Sequence, residues 1–501
     1  MYLESSVLNN RLVALGCCAL LLWILKAKAQ ALSLPVVLKG LEKRVKNRIA
    51  LVKYPFTAKQ TIQEAITQAK GSPVQLISPE SLVTFVTSSK HIKDIANAAN
   101  DELSLHAAAK KILKPEYTMN GFNWHDKRGV DGIGFVRALR TLLTNHLPHL
   151  TASIRKLIDD TFKEELGDGV SANAMHIIKT VATKVTAYSF FGPDVMGDEK
   201  FMDAALYYNH DVMLGSEVLR LCPQFLEPIV GTFIPFFLRR QQTFYYGLTA
   251  IFEKRLSDPD KSKKHDDVFQ WIIDTSPKTN TWTPGRMAFE IMAIWFGSVE
   301  GLSTTLLFAV YNLCSHPEYM IPLREELGGK AADDFYKTGE GLPLMDSFLK
   351  ESSRWTPVES VSTRRCALKD FTFFDGTHVK KGDWICVPVG AMLSDAENYP
   401  QPDVFNGFRF ADPKIFDKEH SVQPEGPSKF TDISDKWQVW GTGKILCPGR
   451  FFVGFAMKHI MVHIVNNYEP ELVDKNSRPT LNWRTWTLPK PGVKMNFQPR
   501  V

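Results

Sequence analysis

The sequence predicts a mainly α fold with a small β region, built as one large domain behind an apolar N-terminal segment. Three observations carry this. Apolar residues recur at three- to four-residue spacing through most of residues 55–360. After about residue 360 the pattern changes to short runs broken at Asp375-Gly376 and Lys381-Gly382, which read as strands and turns. No internal repeat, low-complexity stretch or linker divides the chain.

The apolar run Leu12–Leu25 is shorter than the usual membrane span of about 17–25 residues. Ala27-Lys28-Ala29 resembles a cleavage site, but the charges favour a retained segment. Only Arg11 precedes the run, whereas Lys26, Lys28, Lys39, Lys43, Arg44, Lys46 and Arg48 follow it. Positive charge stays on the cytosolic side. Residues 1–30 are therefore read as a single-pass signal anchor, and residues 31–501 as one cytosolic domain.

Helices are predicted over 135–166 (Phe135, Leu139, Leu142, Leu143, Leu147, Leu150, Ile154, Ile158), 172–192, 201–220 and 235–256, with a Pro-marked loop near 223–235. Thr283-Pro284 pairs an N-cap residue with a first-turn proline. The helix it starts should run to about Ser315, ahead of Pro317, and its apolar faces predict burial from end to end. Residues 395–440 read as irregular and 449–467 as helix.

Composition excludes several functions. A net charge of +6 spread along 501 residues is no nucleic-acid footprint. Seven cysteines without a CxxC pair argue against a secreted disulfide framework. No Asn-x-Ser/Thr sequon occurs, which fits a cytosolic face. No dinucleotide fingerprint is present, so any nicotinamide chemistry must reach the chain from outside.

The chemistry sits late in the chain. Residues 440–450 read Trp-Gly-Thr-Gly-Lys-Ile-Leu-Cys-Pro-Gly-Arg, placing Cys447 between a Gly-rich loop and a helix start. The free N–H groups and dipole of a helix N-terminus favour a thiolate. A lone thiolate suits one axial bond to haem iron, although a buried structural cysteine would look the same. Glu351 and Arg354 are three apart on a predicted helix and can pair, as any surface pair might. Phe405-Asn406-Gly407-Phe408-Arg409-Phe410 sets an arginine among aromatics. Glu300, within Phe296-Gly297-Ser298-Val299-Glu300-Gly301, is a charge on an apolar helix and needs a partner or a function.

Taken in order, these segments resemble the cytochrome P-450 superfamily of haem-thiolate enzymes. The wording of His316-Pro317-Glu318-Tyr319, of Asp346 to Ser352 and of Phe405 to Phe410 is similar to fungal microsomal members of the ent-kaurene-oxidase type. The likeness spans most of residues 30–501 and is sharp after about 283. It implies a cytochrome P-450 fold, haem b with Cys447 as the axial iron ligand, and Gly441, Gly443 and Gly449 shaping the cofactor loop. It implies that Glu351, Arg354 and Arg409 form a structural triad behind the haem. Glu300 would be the acidic member of a distal acid–alcohol pair that relays protons. The activity implied is NADPH-dependent insertion of one oxygen atom into a lipophilic, terpenoid-type secondary metabolite. Electrons would come through a separate NADPH–cytochrome P-450 reductase, with cytochrome b5 as a further candidate donor. The implied setting is a monomer at the endoplasmic reticulum membrane, without nucleic acid.

Two departures from the family pattern stand out. The alcohol position of the distal pair is Gly301, followed by Leu302; Ser303 or Thr304 could hold the relay water instead, or a substrate hydroxyl could supply the missing group. This keeps open a haem-thiolate isomerase or lyase that rearranges an oxygenated substrate without a reductase. In the cysteine loop, Trp440 replaces the usual Phe, and Ile445 the usual propionate-binding base, for which Lys444 or Arg140 could substitute. The family's substrate regions would bring Trp124, Tyr208, Phe225, Phe233, Trp295 and Trp486 to an apolar pocket.

Overall fold

The structure, a computed structural model, describes residues 38–124, 134–167, 169–259, 265–276, 282–415, 426–476 and 478–500. The expected anchor over residues 1–30 lies outside the described residues. The chain is mainly helical, with a small β region as expected.

The long helix Pro284–Ser315 runs through the middle of the core. Thr283 caps it, its hydroxyl accepting from the N–H of Arg286 at 3.2 Å. It packs on helices Ala174–Phe191, Arg240–Ser257, Pro343–Trp355 and Arg450–Asn467. Trp295 anchors this packing. Its ring stacks on Phe191 at 5.0 Å, and its indole N–H donates to the Ala205 carbonyl at 2.9 Å. A buried aromatic of this size contributes on the order of 2–3 kcal/mol. The helix is not buried end to end. Gly297 and Gly301, one turn apart, are exposed in its middle and open a notch in the core.

Among the described residues, four sheets accompany the helices. The largest orders its strands Val74–Ile77, Leu82–Phe85, Trp384–Val387, Ser362–Ala367 and Leu103–Ser104. Only the Leu82–Phe85 and Trp384–Val387 pair is parallel. The hairpin Thr480–Trp483/Trp486–Pro489 bridges from Trp486 to Glu359. Among the described residues no helix or strand is assigned between Leu393 and Gly443, as the Pro-, Asp- and Gly-rich sequence predicts.

Two predicted elements differ. The expected helix over 135–166 contains a six-residue π segment, Ala138–Leu143. The expected loop near 223–235 is instead largely the helix Glu227–Phe237. Pro228 sits in its first turn, where no N–H is needed, and Pro235 lies close to its end. Phe225, Ile229, Phe233, Phe236 and Phe237 are each more than half exposed there. The expectation that Phe225 and Phe233 line a pocket is therefore wrong, while Tyr208 and Trp295 lie in the core.

Candidate active site

Cys447 ends a tight loop. Its N–H donates to the Trp440 carbonyl at 2.9 Å, which closes the turn that carries Gly441 and Gly443 at positive φ. The chain then enters helix Arg450–Asn467, capped by Gly449. The backbone N–H groups of Gly449 and Arg450 donate to the Cys447 sulfur. Burial raises the thiol above its ordinary value, while these donors, with Arg450 and Arg140, pull it back. Burial thus disfavours the thiolate, and the N–H groups and arginines around it favour it. Trp440 is accommodated because its indole N–H donates to the Phe430 carbonyl at 2.8 Å. Gly443 packs against the backbone of Ala96, on helix Ser89–Asn97.

Behind the loop, Glu351, Arg354 and Arg409 meet in the core, all nearly inaccessible to solvent. Glu351 accepts from Arg354 Nε at 2.7 Å, and its same oxygen accepts from Arg409 Nε at 3.0 Å. Its other oxygen accepts from the Asn406 N–H at 2.9 Å. The guanidinium groups spend their remaining protons on carbonyls. Arg354 reaches Leu393 and Pro402, and Arg409 reaches Pro400, Gln401 and Val404. One carboxylate thus serves two guanidiniums, and carbonyl oxygens satisfy the protons it does not, so no buried ion is left without a partner. The triad ties helix Pro343–Trp355 to the irregular segment that leads to the cysteine loop. Glu326 fastens the same helix at its start by accepting from the N–H groups of Leu344 and Met345, and burial raises its carboxyl to about 7.

The notch of helix Pro284–Ser315 is the second element of interest. Glu300 flanks it, and its carboxylate is held by Lys179 of helix Ala174–Phe191 at 2.9 Å. Ser303 and Thr304 do not reach the notch. Both are buried, and the Ser303 hydroxyl donates to the Glu300 carbonyl at 3.3 Å. The expectation that either holds a relay water is overturned. Helical phase alone puts Thr304 near the notch, three residues after Gly301, but packing against the core covers both hydroxyl-bearing side chains.

One buried cation escaped the sequence reading. Arg365, on strand Ser362–Ala367, is 4% exposed and has no carboxylate partner among the described residues. Its one hydrogen bond goes to the Arg364 carbonyl at 2.9 Å, and burial pulls it down to about 10. An unpaired buried cation is costly unless a ligand completes it. The acidic side chains of haem would supply that charge. Arg140, on the π segment, acts electrostatically on both Cys447 and Arg450. The sulfur, its N–H groups and the nearby Arg140 and Arg450 fit a thiolate-ligated haem, and Arg365 is a further candidate to replace the base lost at Ile445. Doubled arginines in Thr-Arg-Arg-Cys read as an exposed edge, so nothing in the sequence marked Arg365 as buried.

Comparison with known proteins agrees with this geometry. The family model described as Cytochrome P450 matches residues 119–497. Cytochrome P450 monooxygenase 151 of Postia placenta is 27% identical over 466 residues, covering 90% of this chain and 91% of its own length. Cytochrome P450 monooxygenase AN1598 of Emericella nidulans is also 27% identical, over 455 residues, covering 88% of this chain and 83% of its own. Among solved structures, a retinoic acid bound cyanobacterial CYP120A1 superposes with a TM-score of 0.68 at 16% identity, covering 90% of this chain and 96% of that one. That likeness speaks to the fold.

Proposed function

The chain belongs to the cytochrome P450 family and is a P450 monooxygenase, and from that premise we propose that it inserts one atom of O2 into a lipophilic, terpenoid-type secondary metabolite. Residues 31–501 form the catalytic domain. The observation that carries the reading is the Cys447 loop: a sulfur receiving two backbone N–H groups, with Arg140 and Arg450 close by and an unpaired Arg365 buried. Haem iron bound there supplies the activation of O2 that no side chain can perform.

The residues divide the remaining work. Cys447 holds the iron, and the N–H groups of Gly449 and Arg450 spread the charge of its thiolate. Arg365 and Arg140 hold the acidic side chains of the haem. Gly441 and Gly443 fold the loop, and the Glu351–Arg354–Arg409 triad fixes the backbone behind it. Glu300 keeps a proton station beside the distal notch, oriented by Lys179. Electrons come from NADPH through a separate reductase.

The substrate class follows from the setting. Helix Glu227–Phe237 presents four large apolar side chains to solvent, with Phe225 just before it. An apolar surface of this kind suits lipid. Two described helices, Pro284–Ser315 and Gly443–Asn467, are also long and apolar enough to cross a membrane, but more than half of each apolar window is buried in the core. The exposed helix, together with the expected anchor, supports a cytosolic domain resting on the endoplasmic reticulum membrane. Lipophilic substrates would be drawn from the bilayer.

A reduced carbon-monoxide difference spectrum of membranes expressing the full chain tests this. A thiolate-type Soret band, with reductase-dependent NADPH consumption raised by a lipophilic substrate, is expected. A non-thiolate band would overturn the assignment of Cys447. The absence of a hydroxyl at Gly301 favours a second reading, rearrangement of an oxygenated substrate; product formed without reductase or NADPH would establish it.

A further inference from the structure

Away from the cysteine loop the described residues enclose a separate cavity, and its lining is polar where the expected substrate is not. Its walls come from the largest sheet (Arg364, Trp384), helix Leu38–Ala69 (Tyr54), the last turn of helix Glu199–Leu221 (Arg220) and the hairpin turn before Trp486 (Arg484). Two of the three arginines are fully engaged. Glu80 accepts from Arg220 at 2.6 and 2.9 Å and from Arg484 at 3.4 Å. Glu217 accepts from Arg484 at 2.8 Å and from Arg220 at 3.2 Å. Arg364 reaches a carboxylate, that of Glu359, only at 3.5 Å, the far limit of a hydrogen bond. Lys59, which also acts on Glu359, donates to the neutral side chains of Asn482 and Thr487. Lys59, Arg220, Arg364 and Arg484 thus stand against Glu80, Glu217 and Glu359, and positive charge is in excess. Excess buried charge is costly unless an anion completes it.

The neutral groups are donors as well. Trp384 lines the cavity, and its buried indole N–H has no partner among the described residues. Burial raises the Tyr54 hydroxyl well above its ordinary range, so it keeps its proton to donate. The free space is about 30 Å³. At roughly 10–15 Å³ per oxygen-sized atom this admits two oxygens, a carboxylate rather than a tetrahedral phosphate. Trp486 forms one more wall, and its strand packs on the long helix Pro284–Ser315.

We propose that this cavity binds the carboxylate of an acidic lipophilic substrate, with Arg364 as the charged anchor and Trp384 and Tyr54 as neutral donors, while the apolar body extends past Trp486 toward the long helix. The proposal rests on the reading of the chain as a monooxygenase of lipophilic molecules and narrows that class to lipophilic acids. Holding the acid end fixes which carbons are presented for oxidation.

The test uses the full-length holoenzyme and two ligand pairs, abietic acid with its methyl ester and hexadecanoic acid with its methyl ester. Binding is read from the shift of the Soret band and from the rise in thermal midpoint, the second of which needs no haem. The parent should bind at least one acid about tenfold or more tighter than its ester, the worth of a charge-assisted hydrogen bond. Arg364→Gln should lose that preference and bind the esters as the parent does. Arg364→Lys, which keeps the charge, should retain part of it. Tyr54→Phe should weaken the acid about fivefold and leave the ester unchanged; where Arg364→Gln does not fold, this variant decides. A parent that binds neither acid better than its ester would overturn the proposal. So would an acid preference that survives Arg364→Gln, or an equal loss of acid and ester, which marks a packing defect. Sodium acetate that raises the midpoint as far as the acids do would overturn the assignment to substrate in favour of a free small anion. A parent without the thiolate-type Soret band would overturn the Cys447 reading alone, since the midpoints still report on the cavity.

Discussion

Glycines lie in both regions of the candidate site, and they are there for opposite reasons. In the cysteine loop, Gly441 and Gly443 sit at φ values of +74° and +66°, a region costly for other residues. A Cβ on Gly443 would also stand 2.6 Å from the Ala96 carbonyl oxygen. In the long helix, Gly297 and Gly301 have neither a positive φ nor a neighbour within 4 Å of a Cβ. The chain's own backbone requires the first pair. Nothing within the chain requires the second pair, so the space they leave serves what binds there. The cysteine loop is fixed by its own bonds, and the middle of the long helix is left open.

The comparison breaks first at Cys447. Cys447→Ala should abolish the thiolate-type Soret band of the reduced carbon-monoxide complex and all NADPH-supported product. Retention of both would show that the cysteine loop has been misread. Glu351→Gln comes next. It removes the charge that balances Arg354 and Arg409 and leaves two buried guanidiniums without a counter-ion. A loss of about 3–5 kcal/mol is expected, seen as a lower thermal midpoint and a smaller yield of haem-loaded protein. A variant that unfolds like the parent would mean the triad is not what holds the loop.

Gly443→Ala should follow, at more than about 2 kcal/mol, combining left-handed strain with contact against backbone that has no rotamer to turn. Gly441→Ala meets the Ile445 carbonyl oxygen at 3.6 Å and the Thr363 hydroxyl at 3.9 Å, both ordinary contacts, and should show the conformational strain alone. Equal thermal midpoints for the two variants would remove the argument from the Ala96 contact.

How far the two regions could be read from sequence follows the same division. Local signals suffice for the cysteine loop. Thr283-Pro284 fixes one end of the long helix, His316-Pro317 lies just past the other, and the cysteine loop is contiguous. The triad joins Glu351 and Arg354, close in sequence, to Arg409 through a family pattern. The middle of the long helix depends on which helices cover which face, and no local pattern states that. Lys179 lies on a helix buried nearly all round, so its partnership with Glu300 is a tertiary fact. Ser303 and Thr304 are covered by packing against the core, which helical phase alone does not show. Arg365 is buried because strand Ser362–Ala367 lies inside its sheet, flanked by Trp384–Val387 and Leu103–Ser104. Pro235 reads as a helix breaker, but it falls near the end of a helix, where one lost bond is tolerated.

The smallest expected effect has the opposite sign, and it separates the two kinds of glycine most clearly. Glycine in a helix interior is less favourable than alanine by roughly 0.5–1 kcal/mol, because its unfolded chain has more freedom to lose. At Gly297 and Gly301 a methyl group meets nothing that would offset this gain. Gly297→Ala and Gly301→Ala should therefore each raise the thermal midpoint, whereas Gly443→Ala lowers it. If the notch is working space, the same two variants should weaken the spectral response to a bulky lipophilic ligand even as they stabilise the fold. Gain of stability with unchanged ligand response would mean that the notch is empty of function. Loss of stability would mean that the helix carries a neighbour at those positions, and the contrast between the two regions would dissolve.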